Sequence, residues 1–154
     1  MISRVADSVF WINRNMERVE NYARFISVNI NLALDLPPTV EEQWEPLIVA
    51  TADDDIFKKH YDKPTRENVI DFLTFDMRNP NSILSNLFNI RENARTIRET
   101  ITREMWEHIN GLYHDVNAAA KAKKYTLNNI QDFFTEIKMG SQLFFGIEDA
   151  SVTR

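Results

Sequence analysis

Apolar residues recur along the N-terminal segment at strictly alternating steps of four and three: Val5, Val9, Ile12, Met16, Val19, Ala23, Ile26, Ile30 and Ala33. That rhythm averages about 3.5 residues, close enough to the helical turn to keep every one of them on a single stripe. A long helix with such a stripe has to be covered by other helices. Ser3 is a good N-cap and Pro37-Pro38 is a stop, so the helix is predicted to begin after Ser3 and to end before Pro37.

A second seam opens behind the turn Asn79-Pro80-Asn81-Ser82, with Ser82 as capping residue. Ile83, Leu87, Ile90, Ala94, Ile97 and Ile101 keep the four-three rhythm; Met105, Ile109, Leu112, Val116 and Ala119 then follow after extra steps of four. The slip reads as a stutter in one continuous long helix, or as a kink or split near Ile101-Thr102. Between the two seams, Thr39 and Glu42 have capping-box spacing for a short helix through Trp44, Leu47 and Ile48, with Pro46 near its first turn. A helical piece over Ile56 to Tyr61 follows, and Thr65 caps another carrying Val69, Ile70, Phe72 and Leu73. After a polar connector over Lys121 to Tyr125, Thr126 caps a last helix bearing Leu127, Ile130, Phe133, Phe134, Ile137, Leu143, Phe144 and Ile147. Gly140 in that helix permits a bend or a close backbone approach. No strand-like alternation occurs. The expectation is an all-α fold, an antiparallel bundle of three long helices plus two or three short ones, with residues 1–154 as one domain.

Composition narrows the chemistry. The 154 residues carry a formal net charge of −5, which argues against a general nucleic-acid-binding surface. Cysteine is absent, which excludes thiolate nucleophiles, disulfides and cysteine-ligated zinc. Arg4, Asp7 and Arg14 interrupt any secretory leader, and no run approaches the roughly 18–20 apolar residues of a membrane span. A cytoplasmic protein without a membrane partner is expected. With glycine only at 111, 140 and 146 there is no phosphate loop. His60, His108 and His114 form no paired Glu-x-x-His motif. Neither a metal nor another cofactor is expected.

Charge gathers in two places. Arg14, Glu17, Arg18, Glu20, Asn21 and Arg24 crowd the middle of the first helix, and Arg91, Arg95, Arg98 and Glu99 lie along the second seam. In heptad lettering Glu17, Glu20 and Arg24 fall on the same flank of their seam as Arg91, Arg95 and Arg98 do of theirs. An antiparallel pairing could therefore set Glu17 and Glu20 against two or more of those arginines, whose planar forks suit carboxylates. The other reading is local: Glu20 with Arg24 and Glu99 with Arg103 are favourable i,i+4 pairs that support only their own helices. If the acids do not neutralise it, the Arg91, Arg95 and Arg98 stripe could bind a carboxylate or phosphate.

These same residues carry a family resemblance. Ile2 through Ser8, then Trp11, Asn13-Arg14, Glu17-Arg18, Glu20-Asn21 and Ala23-Arg24, resemble the opening of an alpha-E domain, a bacterial helical family named for its Glu-Arg motif. Asn79-Pro80-Asn81-Ser82-Ile83, Arg91 through Arg95, Arg98-Glu99 and Glu104-Met105-Trp106 are similar to its second signature. Phe145-Gly146 through Asp149 and Thr153-Arg154 resemble the family's mid-chain region. Members typically run longer, with another Glu-Arg helix further on, so the resemblance reads this chain as the N-terminal half of a longer architecture. Such a half should expose apolar surface and pair with a second copy as a homo-oligomer, or with a partner.

The resemblance also implies company. Alpha-E genes tend to accompany ATP-grasp ligase-like and transglutaminase-like proteins, which implies a place in peptide or amide-bond formation or modification. Two functional readings follow. One is a non-catalytic interaction or scaffold module whose Glu/Arg cluster recognises a partner's charged terminus. The other is an enzyme of amide-bond chemistry, with Glu17 or Glu20 as acid and base and the arginines holding a carboxylate. The module reading is preferred over the enzyme.

Overall fold

The first seam folds as expected. In a computed structural model, which describes residues 2–51, 53–122 and 127–152, α1 runs over Ile2–Asp35, so Ser3, expected as its N-cap, lies inside the helix instead. Ile12, Met16, Val19, Ala23, Ile26 and Ile30 are fully covered, and Val5 and Val9 pack at the edge. Three short helices follow: α2 (Glu45–Ala50), α3 (Asp54–His60) and α4 (Arg66–Thr74). The longer α5 (Ile83–Thr96), α6 (Arg103–Ala122) and α7 (Leu127–Val152) complete the chain. No strand occurs among the described residues.

Side-chain caps set the starts of α4, α5 and α6, whereas α2 and α3 begin without one. Thr65 and Ser82 accept the amides of Asn68 and Ser85, as their sequence context predicts. Thr39, by contrast, caps nothing: α2 starts at Glu45, and Pro46 sits in its first turn. Glu42 cannot close a capping box because it is engaged elsewhere, accepting from Trp44 Nε1 at 3.1 Å and pairing with the Arg66 guanidinium. The expected Thr126 cap lies outside the described residues.

The second long helix is two helices. The chain leaves α5 after Thr96, turns through Ile97–Ile101 and re-enters a helix at Arg103. Threonines explain the break. Thr96 and Thr100 hydroxyls donate to the Asn93 and Ile97 carbonyls, while Thr102 Oγ1 accepts the Met105 amide and caps α6. The slipped seam is thereby resolved by a turn rather than by supercoil unwinding.

α1 packs on α5 and on α7, α5 packs on α6, and α6 packs on α7. Directions follow from where successive contacts fall: Arg4 to Ala6 share a hollow with Arg95 to Thr100 while Arg18 meets Asn86, Glu20 approaches Gln142 while Ser27 meets Gln131, Arg98 lies over Trp106 while Arg91 meets Asn110, and His108 meets Gly140 across the short α6–α7 connection. Each neighbour therefore runs antiparallel to the next, and α1 lies diagonally across from α6 in a four-helix bundle. The short α2, α3 and α4 fill the connection between α1 and α5. Gly140 makes the close approach anticipated for it: an added Cβ would stand 3.1 Å from Leu112 Cδ1, and its carbonyl accepts from His108 Nε2 at 2.7 Å. On α7 the covered stripe is Ile130, Phe134, Ile137, Ser141 and Phe144. Leu143, expected in the core, is 56% exposed because it lies off that stripe.

Ionisation outlines the pH range of the fold. Burial, followed by the Asp53 carboxylate, pushes the Tyr22 phenol up. Burial and hydrogen bonds to Asp71 and Asp76 do the same for Tyr61. Hydrogen bonds from Arg66 hold Glu42 down. Burial pushes Asp76 up, but Arg78 and Tyr61 outweigh it and hold that carboxyl low. The tyrosine contributions are present below about pH 10 and are lost as pH rises through the elevated folded values; the Glu42 and Asp76 contributions are present above the ordinary carboxylate range of about 4 and are lost as pH falls through the depressed ones. Glu148, raised by burial, opposes the acid-side loss. Thermal unfolding should thus show a plateau between about pH 5 and 9.5. Tyr22→Phe should flatten the alkaline limb, and an unchanged limb would exclude Tyr22 as a source.

Candidate functional site

The Glu-Arg pair Glu17-Arg18 sits midway along α1, and its two side chains part company. Arg18 leans toward α5, where its NH1 donates to Asn86 Oδ1 at 3.4 Å. Asn86 is buried and donates in turn to the carbonyls of Asn81 and Ser82. Beside it, Asn81 Nδ2 donates to Asp53 Oδ1, and Tyr22 Oη donates to Asp53 Oδ2, each at 3.0 Å. Asp53 is only 3% exposed. Arg18 and Tyr22 of α1 and the Asn-Pro-Asn-Ser turn are therefore joined, with buried Asp53, in one polar network. Asn79 completes the turn from within, donating to Phe72 O and accepting from the Asn81 amide.

In front of the network lies an open hollow of about 280 Å³, lined among others by Arg14, Glu17, Arg18, Asn21, Tyr22 and Phe25. An arginine carries five N–H donors. Among the described residues Arg18 directs one of them to Asn86, which leaves most of the fork for an incoming acceptor. Glu17 stays on the solvent side, 3.6 Å from Arg14 and with both side chains more than half exposed.

The expected clasp between helices is not formed. Glu20 pairs with Arg24 of its own helix at 2.7 Å and approaches Gln142 of α7. Two residues carry a side chain roughly 200° around a helix, so Glu20 faces α7 while Arg18 faces α5. Heptad lettering puts both acids on one nominal flank but does not say which neighbour that flank meets. Arg91 instead donates to Asn110 Oδ1 and lies over the Tyr113 ring. Arg95 meets Glu92 at 3.6 Å, and Arg98 stacks on Trp106. Glu99 is exposed in the α5–α6 turn, and Arg103 pairs with Glu107 rather than with Glu99. Of the ten residues singled out by charge, Arg14, Glu17, Arg18 and Asn21 share the α1 hollow. Arg95, Arg98 and Glu99 share a different one beside Arg4.

Tyr22, Asp53, Asn81 and Asn86 were not signalled by charge patterning. Asp53 begins an Asp53-Asp54-Asp55 run that reads as a solvated loop, and only burial distinguishes its first member. Asn81 was visible as part of a turn motif, though not as a hydrogen-bond donor to a distant carboxylate. Among the described residues no group of three or more His, Asp or Glu side chains could hold a metal ion, and no helix is long and apolar enough to cross a membrane.

Residues 1–154 fit the family model described as Alpha-E, "a predicted alpha-helical domain with a conserved ER motif". In this chain a glutamate directly followed by an arginine occurs once, at Glu17-Arg18. No curated protein and no solved structure matches.

Proposed function

This chain belongs to the Alpha-E family, and from that premise we propose that it is an interaction module of a peptide-ligation or modification system. It holds a partner's anionic chain end in the α1 hollow. The observation that carries the reading is Arg18: its guanidinium donates to buried Asn86 and the residue lines an open hollow. A carboxylate can take two parallel bonds from such a fork. Phe25 borders the same hollow and is 45% exposed, and Val28 and Leu32 continue the exposed apolar line one and two turns further along α1. Charge selects the partner and apolar contact supplies area, as at protein–protein interfaces generally. The partner is an ATP-grasp-like or transglutaminase-like protein, or a second copy of the chain.

Glu17, at the surface, and Glu20, with a largely covered side chain, are each tied to an arginine of their own helix. That arrangement favours recognition over acid–base work, which needs a carboxylate held against the reacting atoms. The test is co-purification with an ATP-grasp-like protein encoded in the same genome. The native chain should be retained, and an Arg14→Glu/Phe25→Asp double variant, altered only at exposed positions, should be lost. Retention of the variant, failure of the native chain to associate, or amide-forming turnover by the chain alone would overturn the proposal.

A further inference from the structure

The largest hollow described lies at the other end of α1. It encloses about 670 Å³ between Arg4, Val5 and Ala6 and the turn that joins α5 to α6, within the range of roughly 300–1,000 Å³ typical of small-molecule sites. Its walls are mostly hydrocarbon. Val5 and Ala6 line it above Ile97, which is itself only 4% exposed, and the hydroxyls of Thr96 and Thr100 are turned back onto the carbonyls of Asn93 and Ile97. Both threonines thus need nothing from the hollow.

Three arginines ring this apolar floor. Arg4 has no ion-pair partner among the described residues, Arg95 has a loose one in Glu92 at 3.6 Å, and Arg98 lies over the Trp106 ring, its Cζ 5.5 Å from the ring centroid. Glu99 is the single acid in the lining, so three positive charges face one negative. The C-terminal end of α5 would by itself favour cations. Three of its last four carbonyls already have partners, however: those of Ala94 and Arg95 accept from the amides of Ile97 and Arg98, and that of Asn93 from the Thr96 hydroxyl. An apolar floor under a cationic rim is complementary to a molecule with an aliphatic body and one anionic end.

We propose that this hollow binds a small aliphatic carboxylic acid, its chain on Val5, Ala6 and Ile97 and its carboxylate between Arg4, Arg95 and Arg98. The site is separate from the Arg18 hollow and does not rest on the interaction-module reading. Arginine recognises the head through charge-assisted hydrogen bonds, and the floor rewards chain length.

The full chain, labelled with nitrogen-15 and titrated with octanoate, 1-octanol or acetate, tests this. Octanoate should give saturable amide shifts centred on Val5, Ala6, Ile97 and Thr100. Octanol and acetate, each lacking one half of the recognised chemistry, should bind at least about tenfold more weakly. Arg4→Gln and Arg95→Gln, both at exposed positions, should each weaken octanoate about tenfold while leaving the remaining spectrum in place. The proposal is overturned if octanoate produces no saturable shift, if octanol or acetate equals it, if the arginine variants bind it unchanged, or if its shifts fall around Arg18 instead.

Discussion

Asp53→Ala should cost the fold about 2–4 kcal/mol, measured by chemical denaturation, even though Asp53 lies outside the main helices of the bundle. The reason is what the substitution leaves behind. Asp53 accepts from Tyr22 Oη and from Asn81 Nδ2, and it is buried. Without its carboxylate, two donors in a covered position lose their acceptor, and each unsatisfied buried group costs about 1–3 kcal/mol. Tyr22→Phe removes one of those donors. In the Tyr22→Phe background the Asp53→Ala penalty should therefore shrink by roughly 1 kcal/mol, a coupling that a double-mutant cycle reads directly. Glu17→Ala supplies the contrast. Its carboxylate is 54% exposed and pairs loosely with Arg14, so the loss should stay below about 1 kcal/mol. A Glu17 penalty equal to that of Asp53 would mean that the family's glutamate, rather than the network behind its arginine, holds α1 in place.

That contrast also marks where the sequence was readable. The seam residues of α1, α5, α6 and α7 were legible because burial imposes a period, and a period survives in a string of letters. Ser82 and Thr65 were legible because a capping side chain acts on an amide three residues away. The α5–α6 turn was half legible: the seam slips there, but whether a slip becomes an unwound helix or a turn depends on Thr96, Thr100 and Thr102 competing for backbone partners. The Thr39–Glu42 capping box failed because Arg66, from another helix, takes the glutamate. The charged cluster fared worst. Helical periodicity orders side chains around one axis, but it carries no information about which neighbour stands at a given angle. Glu20 consequently meets α7, and Arg18 alone of the pair at positions 17 and 18 reaches α5. Asp53, the acid that matters most to the network, is distinguished by depth, which local sequence does not encode.

Phe134→Ala should be the most damaging single change, a loss of about 3–5 kcal/mol. Phe134 is fully buried on the stripe of α7 that covers α1, and truncating it removes transfer energy and leaves a cavity the four helices cannot close without shifting. Domains are commonly stable by only about 5–15 kcal/mol, so the variant should unfold at markedly lower denaturant or fail to accumulate folded. Phe25→Asp inverts the experiment. The same residue type stands half-exposed on the opposite face of α1, where truncation opens no cavity, and its stability change should stay within about 0.5 kcal/mol. The two phenylalanines thus separate the two faces of one helix: the seam that α5 and α7 cover, and the outward line of Phe25, Val28 and Leu32 that the fold leaves bare. If Phe25→Asp destabilises the isolated chain by several kcal/mol, that outward face is already covered in solution, and the denaturation midpoint should then depend on protein concentration.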